Sequence, residues 1–393
     1  MKMNALFQCS ALAVSLALLG GCSQKDEAPA AAAPAAAPEV KVVKLGFAAP
    51  LTGPQAHYGK EMQNGVILAI EEANAGQPQI GGQPVRFELV SEDDQADPKQ
   101  GTAVAQKLVD AKIVGMLGHF NSGTSIPASR IYAEAGIPEI AMATSPAYTG
   151  NGYKTTFRAM TNDVQQGSVM GRFAVETLKA HRIAIIDDRT AYGQGLADEF
   201  EKSAKAAGAD IVKREFTSDK GTDFMAILTS IKSAKPDVVF FGGADAQAGP
   251  MARQIKQLGI KAALMGGEMI KSPNFLSLAG TAADGTIASL AGLPLAQMPG
   301  GKDYETKYKA RFNEDVQIYS PYAYDATMVL IAAMKAAGSS EPAKYLPALA
   351  KTQMAGVTSG TIGYDEKGDL KDGAITVYKV EGGEWKVLEA SSK

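Results

Sequence analysis

Short apolar runs alternate with stretches of helical periodicity from residue 41 onward. The runs at 42–48, 85–90, 113–117 and 139–143 have the length of buried strands, and a helical stripe covers 58–75. Another helix opens at Asp97, which suits an N-cap because Pro98 follows at the first helical position. A third helix is predicted from about residue 126 to 135. This alternation predicts a parallel sheet covered on both faces.

The same rhythm begins again at residue 164. Helices are predicted at 164–180, 195–207, 224–233 and 250–258, and they alternate with strands at 183–186, 211–216, 238–241 and 264–266. A strand at 287–290, helices at 304–313 and 322–337, and a hairpin over 375–388 follow. We therefore expect an α/β protein with two doubly wound parallel-sheet lobes, between which later segments of the chain return.

Polar groups cluster where the predicted strands end. The strand at 113–117 runs into a turn over 118–125 whose hydroxyls and N–H groups suit a small anion, either a phosphate or a carboxylate. Thr144 and Ser145 follow the next strand, and a Gly-containing loop at 242–249 and Glu268 hold the matching positions in the second unit. Open parallel sheets bind ligands beyond the carboxyl ends of their strands, so these loops predict one shared cleft.

The N-terminus reads as an export signal. Lys2 precedes a mostly apolar core at 5–19, and Leu19-Gly20-Gly21 leads to Cys22, as in a bacterial lipobox. We expect residues 1–21 to be a lipoprotein signal peptide and Cys22 to carry the lipid; an ordinary secretory signal with an incidental Cys22 is the alternative. Residues 22–40 are rich in Ala and Pro and predict an extended tether.

Composition excludes several classes of protein. The formal net charge is -3 and no basic stripe is visible, which argues against nucleic acid as a partner. Neither cysteine lies beyond Cys22, and the three histidines form no zinc motif, so we predict no metal and no cofactor. Nucleotide-binding loops and a nucleophile elbow are also missing from the sequence. The acidic segments at 91–97 and 365–369 lack EF-hand spacing and are predicted to be solvated turns.

A series of short motifs, each weak alone, resembles the branched-chain amino-acid binding proteins of ABC importers. The series consists of LTGP at 51–54, YG at 58–59, DPKQ at 97–100, GH at 118–119, AYG at 191–193, MGGE at 265–268 and YDEKGDL at 364–370. The resemblance implies a type I periplasmic binding fold with three crossovers, near Thr161, Ser289 and Gly360. The lobes would then comprise 41–160 with 290–355, and 161–289 with 356–393.

The resemblance also implies roles for individual residues. Ser122 matches a carboxylate-binding serine, Thr144 a threonine on the next strand end, and Glu268 an ammonium-binding glutamate. The segment at 140–146 is one residue shorter than the usual pattern, so the role of Thr144 could belong to Ser145. Ala244 stands where the better-studied members have a tyrosine, and Asp245 beside it could accept from the ammonium instead. The full predicted ligand-binding set is Tyr58, Ser122, Gly123, Ala143, Thr144, Ser145, Tyr192, Asp245 and Glu268.

These observations together predict a non-enzymatic receptor. We expect a monomeric periplasmic lipoprotein, held at the membrane through Cys22, that binds a small amino acid, foremost a branched-chain one, and presents it to an ABC permease. One alternative is a binding protein of the same fold for another amino acid, an amide or an aromatic acid. Another is a regulatory envelope lipoprotein with a protein partner.

Overall fold

The apolar runs form the strands of two separate sheets. The computed structural model describes residues 39–391; the predicted signal peptide, Cys22 and most of the tether lie outside the described residues. The strands of the first sheet are β1 (Lys41–Ala49), β2 (Gln79–Ile80), β3 (Gln83–Asp93), β4 (Gly115–Gly118), β5 (Glu139–Ala141) and β6 (Thr156–Arg158). Those of the second are β7 (Arg182–Asp187), β8 (Asp210–Phe216), β9 (Val238–Gly242), β10 (Ala263–Gly266), β11 (Ile287–Leu290), β12 (Ile375–Glu381) and β13 (Glu384–Ser391).

Both sheets are mainly parallel. The order of the first is β2-β3-β1-β4-β5-β6, with β2 antiparallel to β3, and the order of the second is β13-β12-β11-β10-β9-β7-β8, with β12 and β13 antiparallel. The strand order reverses at β1 in the first sheet, because β1 lies between β3 and β4. It reverses at β7 in the second, because β7 lies between β8 and β9. Such switch points open a crevice at the carboxyl ends of the strands. The predicted pair of doubly wound lobes is therefore present.

Helices cover the faces of both sheets. They are α1 (Ala56–Ala75), α2 (Pro98–Asp110), α3 (Ser122–Glu134), α4 (Pro146–Gly150), α5 (Asp163–Arg172), α6 (Ala191–Ala206), α7 (Met225–Ser233), α8 (Asp245–Gln257), α9 (Pro273–Ala279), α10 (Gly301–Phe312), α11 (Ser320–Ala337) and α12 (Pro342–Ala350). Asp97 caps α2 as predicted, with its carboxylate accepting from the N–H groups of Lys99 and Gln100. Within the part of the chain that the structure describes, no helix combines the length and apolarity that a membrane span needs.

Several helices begin earlier than the sequence predicts, and in two of them the added residues precede a proline. α3 starts at Ser122 rather than near residue 126, and α8 starts at Asp245 rather than at Pro250. Pro127 and Pro250 each lie five residues inside these helices, although proline favours the first position. The small and polar residues ahead of the prolines have modest helix propensity, so they resemble loop until tertiary contacts fix them.

The chain passes between the two sheets three times. It leaves the first sheet after β6 and enters α5, leaves the second sheet after β11 towards α10, and returns after α12 to β12. Thr161 and Gly360 lie in the first and third passages, whereas Ser289 lies inside β11. The N–H of Arg158 in β6 donates to the carbonyl of Gly368 at 2.9 Å, so the third passage contacts the first lobe before it enters β12. The exact lobe boundaries remain a prediction.

Glu61 fixes a returning helix to α1. Its buried carboxylate accepts hydrogen bonds from the N–H groups of Gln317, Ile318, Tyr319 and Ser320 at 2.8 to 3.3 Å, and from the Ser320 hydroxyl at 3.1 Å. These N–H groups lie at or just before the start of α11, where backbone donors have no acceptor within the helix and the helix dipole favours an anion. The carboxylate therefore locates Tyr319, which packs against Tyr58 and Phe120.

Substitution of Glu61 by alanine should lower the free energy of unfolding by about 3 kcal/mol, because several buried donors lose a charged acceptor. Urea denaturation would measure this loss. Glu71→Ala on the same helix is the matched control, since its exposed ion pair with Arg311 is expected to contribute at most about 1 kcal/mol. Equal losses in the two variants would contradict the role given to Glu61.

Candidate ligand-binding cleft

The wall contributed by the first lobe begins where β4 ends. Ser122 is the first residue of α3 and is buried, and its Oγ accepts from the N–H of Ser145 at 3.2 Å. The hydroxyl thus joins the ends of the neighbouring strands β4 and β5. Gly123 follows and is half-buried. The N–H of Thr124, within the turn at 118–125 that was predicted to suit an anion, instead donates to the Asn121 carbonyl at 3.1 Å.

Thr144 and Ser145 follow β5 and use their polar groups differently. Ser145 is the N-cap of α4, and its Oγ accepts from the N–H of Ala147 at 3.4 Å. Thr144 accepts from the N–H of Asp163 through its carbonyl at 2.9 Å, and its hydroxyl lies close enough to the Asp163 carboxyl to lower the pKa of that group. Of the two hydroxyls, that of Thr144 is therefore the one directed at the acidic part of the cleft.

A buried arginine holds this loop from behind. Arg158 donates through Nη1 to the carbonyl of Ala143 and through Nη2 to the carbonyl of Ser145, the latter at 3.0 Å. Its Nε donates to Asp369 Oδ1 at 2.7 Å, and Asp369 also accepts from the Thr149 hydroxyl at 2.9 Å. The prediction of a solvated turn at 365–369 is thus wrong for Asp369, which forms an ion pair with a fully buried side chain.

Glu268 lies across the cleft, after β10 of the second lobe. It is buried, and its Oε2 accepts from the Tyr192 hydroxyl at 3.0 Å and from Gln166 Nε2 at 2.6 Å. The Oε1 of Gln166 accepts in turn from the Ser289 hydroxyl at 2.7 Å. Gln166 was missed in the sequence because a glutamine in the first turn of a helix reads as a solvated residue.

Asp163 is a second buried carboxyl beside Glu268, and the sequence analysis missed it as well. The Thr144 hydroxyl and Gln166 lie close enough to lower its pKa, but neither of its side-chain oxygens has a hydrogen bond of good geometry among the described residues. Burial raises the pKa of Asp163 to about 8, and the charge of Glu268 contributes to the rise. Burial likewise raises the pKa of Glu268, while hydrogen bonds from Gln166 and Tyr192 oppose the increase. Two acids in one desolvated space favour the entry of a cation.

Tyr58 and Asp245 meet at the other end of the cleft. The Tyr58 hydroxyl donates to the carbonyl of Met269, and Asp245 Oδ2 lies 2.9 Å from His57 Nε2. Ser272 donates to the same Asp245 oxygen at 2.6 Å. These contacts join the first lobe directly to the second. Asp245 is thus engaged away from Glu268, which leaves Glu268 as the better-placed partner for an ammonium group.

A cavity of about 360 Å³ marks the mouth of the cleft. Residues of both lobes line it, among them Gln55, Asn121, Gly123, Thr190 and Tyr192. Of the predicted site residues, the structure brings Ser122, Thr144, Ser145, Tyr192 and Glu268 to the facing edges of the two sheets, with Gly123 and Ala143 in the adjoining backbone and Tyr58 and Asp245 at the far end. No cluster suited to a metal ion occurs within residues 39–391.

Comparisons with known proteins agree with this fold. A family model described as periplasmic binding protein matches residues 42–384. The chain is 39% identical over 344 residues to the Leu/Ile/Val-binding protein homolog 1 of Brucella suis biovar 1, covering 87% of this chain and 91% of that protein. It is 36% identical over 338 residues to the leucine-, isoleucine-, valine-, threonine-, and alanine-binding protein of Pseudomonas aeruginosa, covering 86% and 89% of the two chains.

A solved structure gives the same likeness in three dimensions. The branched-chain amino acid transporter substrate binding protein LivJ of Streptococcus pneumoniae, in complex with isoleucine, superposes with a TM-score of 0.80 at 26% sequence identity. The match covers 90% of this chain and 99% of that chain. The two lobes and the cleft between them thus belong to a shared architecture.

The free energy of unfolding of Asp163→Asn, compared with that of the unchanged protein, should increase as the pH rises from about 4 to 8. Because the native pKa is raised, the native state binds a proton that the unfolded state has released, so stability falls as the pH rises through this window; asparagine avoids that loss. The difference in free energy of unfolding should grow by at most about 1.4 kcal/mol per pH unit. Thermal or urea unfolding at several pH values measures it.

The exposed Asp303 provides the matched control. Asp303→Asn should show a difference from the unchanged protein that does not vary with pH in this way. A pH-independent difference for Asp163→Asn as well would show that the carboxyl is not buried in its neutral form.

Proposed function

This chain belongs to the periplasmic binding protein family, and from that premise we propose that it is a receptor that captures a small amino acid between its lobes and delivers it to an ABC import permease. The comparisons confirm the predicted resemblance and the type I periplasmic binding fold. The named ligands of the relatives are leucine, isoleucine and valine, with threonine and alanine in one case. Branched-chain amino acids are therefore the leading candidates.

The proposal rests on one observation: hydroxyl donors of the first lobe face a buried acid of the second lobe across the cleft. Ser122 and Thr144 offer hydroxyls from the first lobe, and Glu268 offers a carboxylate from the second. A zwitterionic amino acid has the complementary pair of charges, and each charge-assisted hydrogen bond contributes about 1.5 to 3 kcal/mol. Because neither lobe satisfies both charges alone, the ligand favours the closed arrangement of the lobes.

We assign the ligand carboxylate to the first lobe. Ser122 and Thr144 would donate through their hydroxyls, and the N–H groups of Ser122 and Gly123 would add the dipole of the α3 N-terminus. Ser145 supports the site through its backbone, since its hydroxyl caps α4. Ala143 supplies the adjoining backbone, which Arg158 holds.

We assign the ammonium group to Glu268, with Tyr192 fixing the position of the carboxylate. The Tyr192 hydroxyl donates to Glu268 at 3.0 Å, so its own contact with the ligand is through the ring. Tyr58, Phe120 and Tyr319 form a wall of packed rings, with centroids 4.8 to 5.6 Å apart. This wall would contact an apolar side chain.

A binding role accounts for the cleft better than catalysis does. His57, Asp245 and Ser272 meet, but the serine donates to the aspartate and not to the imidazole, so the three do not form a serine–histidine pair of the kind that activates a nucleophile. His119 is held between Asp94 at 2.7 Å and the hydroxyl of Tyr132 at 3.1 Å, within the first lobe. We therefore propose a receptor without enzymatic activity.

Membrane attachment and oligomeric state complete the proposal. The family indicates a periplasmic location, and a lipidated Cys22 followed by the tether at 22–40 would hold the receptor at the membrane surface as a monomer. Inhibition of lipoprotein processing, followed by fractionation, tests this part separately from ligand binding. Accumulation in the membrane fraction of a precursor that retains residues 1–21 is the expected result, whereas unchanged cleavage would favour an ordinary secretory signal.

Leucine, isoleucine or valine should raise the melting temperature of the purified protein, and Glu268→Gln should weaken their binding at least 30-fold. The factor corresponds to about 2 kcal/mol, the value of a hydrogen bond to a charged group. Calorimetric titration measures the affinity of both proteins. The exposed Glu305 provides a matched control, and Glu305→Gln should leave the affinity unchanged.

Melting temperatures measured with a wider set of small molecules separate the alternatives. A rise in melting temperature only with other amino acids, amides or aromatic acids would replace the ligand but keep the receptor. No rise with any small molecule would instead favour an envelope lipoprotein with a protein partner.

A further inference from the structure

The far end of the cleft contains a polar cluster, formed by His57, Asp245 and Ser272, that the binding of an amino and a carboxyl group does not require. Asp245 is fully buried and uses Oδ2 for both of its neighbours, at 2.9 Å to His57 Nε2 and 2.6 Å to Ser272 Oγ. Its other oxygen, Oδ1, is buried and has no hydrogen-bond partner among the described residues. A buried acceptor of this kind calls for a donor.

A second buried polar atom lies in the aromatic wall next to this cluster. The Tyr319 hydroxyl is buried and also lacks a partner within the described part of the chain. The Tyr319 ring packs edge-on against Tyr58, whose ring lies 3.8 Å from that of His57. Burial raises the pKa of Tyr319 well above its usual value, and the charges of Glu268, Glu61 and Asp245 raise it further, so the hydroxyl stays a donor.

The sheet order places these atoms where a ligand side chain would extend. Thr144 follows β5 and His57 lies beyond β1, and β4 separates the two strands in the first sheet. Two inter-strand spacings amount to about 10 Å. The Tyr319 hydroxyl lies within range of the charges of both Glu268 and Asp245, so an amino acid held by its main-chain groups at Thr144 and Glu268 would extend its side chain past Tyr319.

We propose that Asp245 and Tyr319 form a polar side-chain subsite, so that the receptor accepts branched amino acids bearing a hydroxyl or carboxamide at least as well as their aliphatic isosteres. This inference rests on the proposed function and narrows its substrate class. Threonine replaces a methyl group of valine with a hydroxyl, and asparagine replaces the terminal isopropyl group of leucine with a carboxamide. Each supplies a donor for Asp245 Oδ1, and the amide oxygen also accepts from Tyr319.

The physical basis is the asymmetry between polar and apolar pockets. A pocket that holds unpaired buried polar atoms discriminates strongly against a ligand that leaves them unpaired, whereas an apolar pocket rejects a hydroxylated isostere only weakly. Valine and leucine would bury Asp245 Oδ1 without a partner. Threonine and asparagine would not.

The test is calorimetric titration of the purified full-length protein with valine, threonine, leucine and asparagine. We expect threonine to bind at least as tightly as valine, and asparagine at least as tightly as leucine. Asp245→Val should shift both ratios at least tenfold towards the aliphatic member, and Tyr319→Phe should shift the asparagine to leucine ratio about threefold in the same direction. Tyr319→Phe removes one hydroxyl and keeps the ring packing, so this variant still tests the polar subsite if Asp245→Val fails to fold.

Ser122→Ala is the control for the main-chain end of the site. It should weaken all four amino acids by a similar factor and leave the ratios unchanged. Tight binding of valine and leucine with a tenfold or larger preference over threonine and asparagine would overturn the polar subsite while leaving the proposed function in place. Ratios that do not respond to either side-chain variant would overturn it too. If none of the four binds, the polar subsite and the branched-chain ligand are both overturned, and thermal-shift measurements with other small molecules decide whether a receptor function remains.

Discussion

The confinement of two carboxyl groups to one desolvated space is the constraint on which the cleft depends. Glu268 and Asp163 lie side by side between the lobes, and the low local dielectric makes two negative charges there unfavourable. The protein accommodates them by retaining a proton and by directing Gln166 and Tyr192 at Glu268. An ammonium group would relieve the same electrostatic cost, so the feature that is costly in the protein alone supports the proposed selectivity of the site for a cation.

The support of both ligand-facing walls comes from the segments that pass between the lobes. Gln166 lies just after the first passage and bonds both Glu268 and Ser289, which lies just before the second. Arg158, at the start of the first passage, holds the loop containing Thr144 and bonds Asp369 in the third. The orientation of the ligand-binding groups is therefore set by the same residues whose backbone must rotate when the lobes move.

The sequence predicted the features that depend on local pattern. Strand and helix alternation predicted both lobes, and the Asp97 cap was recognised from its own neighbours. The motif series proposed Ser122 and Glu268 as ligand-binding residues, which stays a prediction. The sequence did not predict the contacts made across long sequence separations. The contacts of Arg158 with Asp369 and of Glu61 with the start of α11 each join segments more than 200 residues apart. A charged or polar residue in such a contact has the same local pattern as a solvated one, because its partner is defined only by the fold.

The two lobes also hold each other through their own atoms, by way of His57 with Asp245 and Tyr58 with Met269. Part of the free energy of closing is therefore built into the polypeptide and is present whether or not nutrient is available. A larger closed population lowers the conformational cost of capture and tightens apparent affinity. In the proposed receptor, it would also let vacant molecules compete with ligand-bound ones for the permease. The strength of these two contacts would then set a compromise between capture at low ligand concentration and selective docking of ligand-bound receptors.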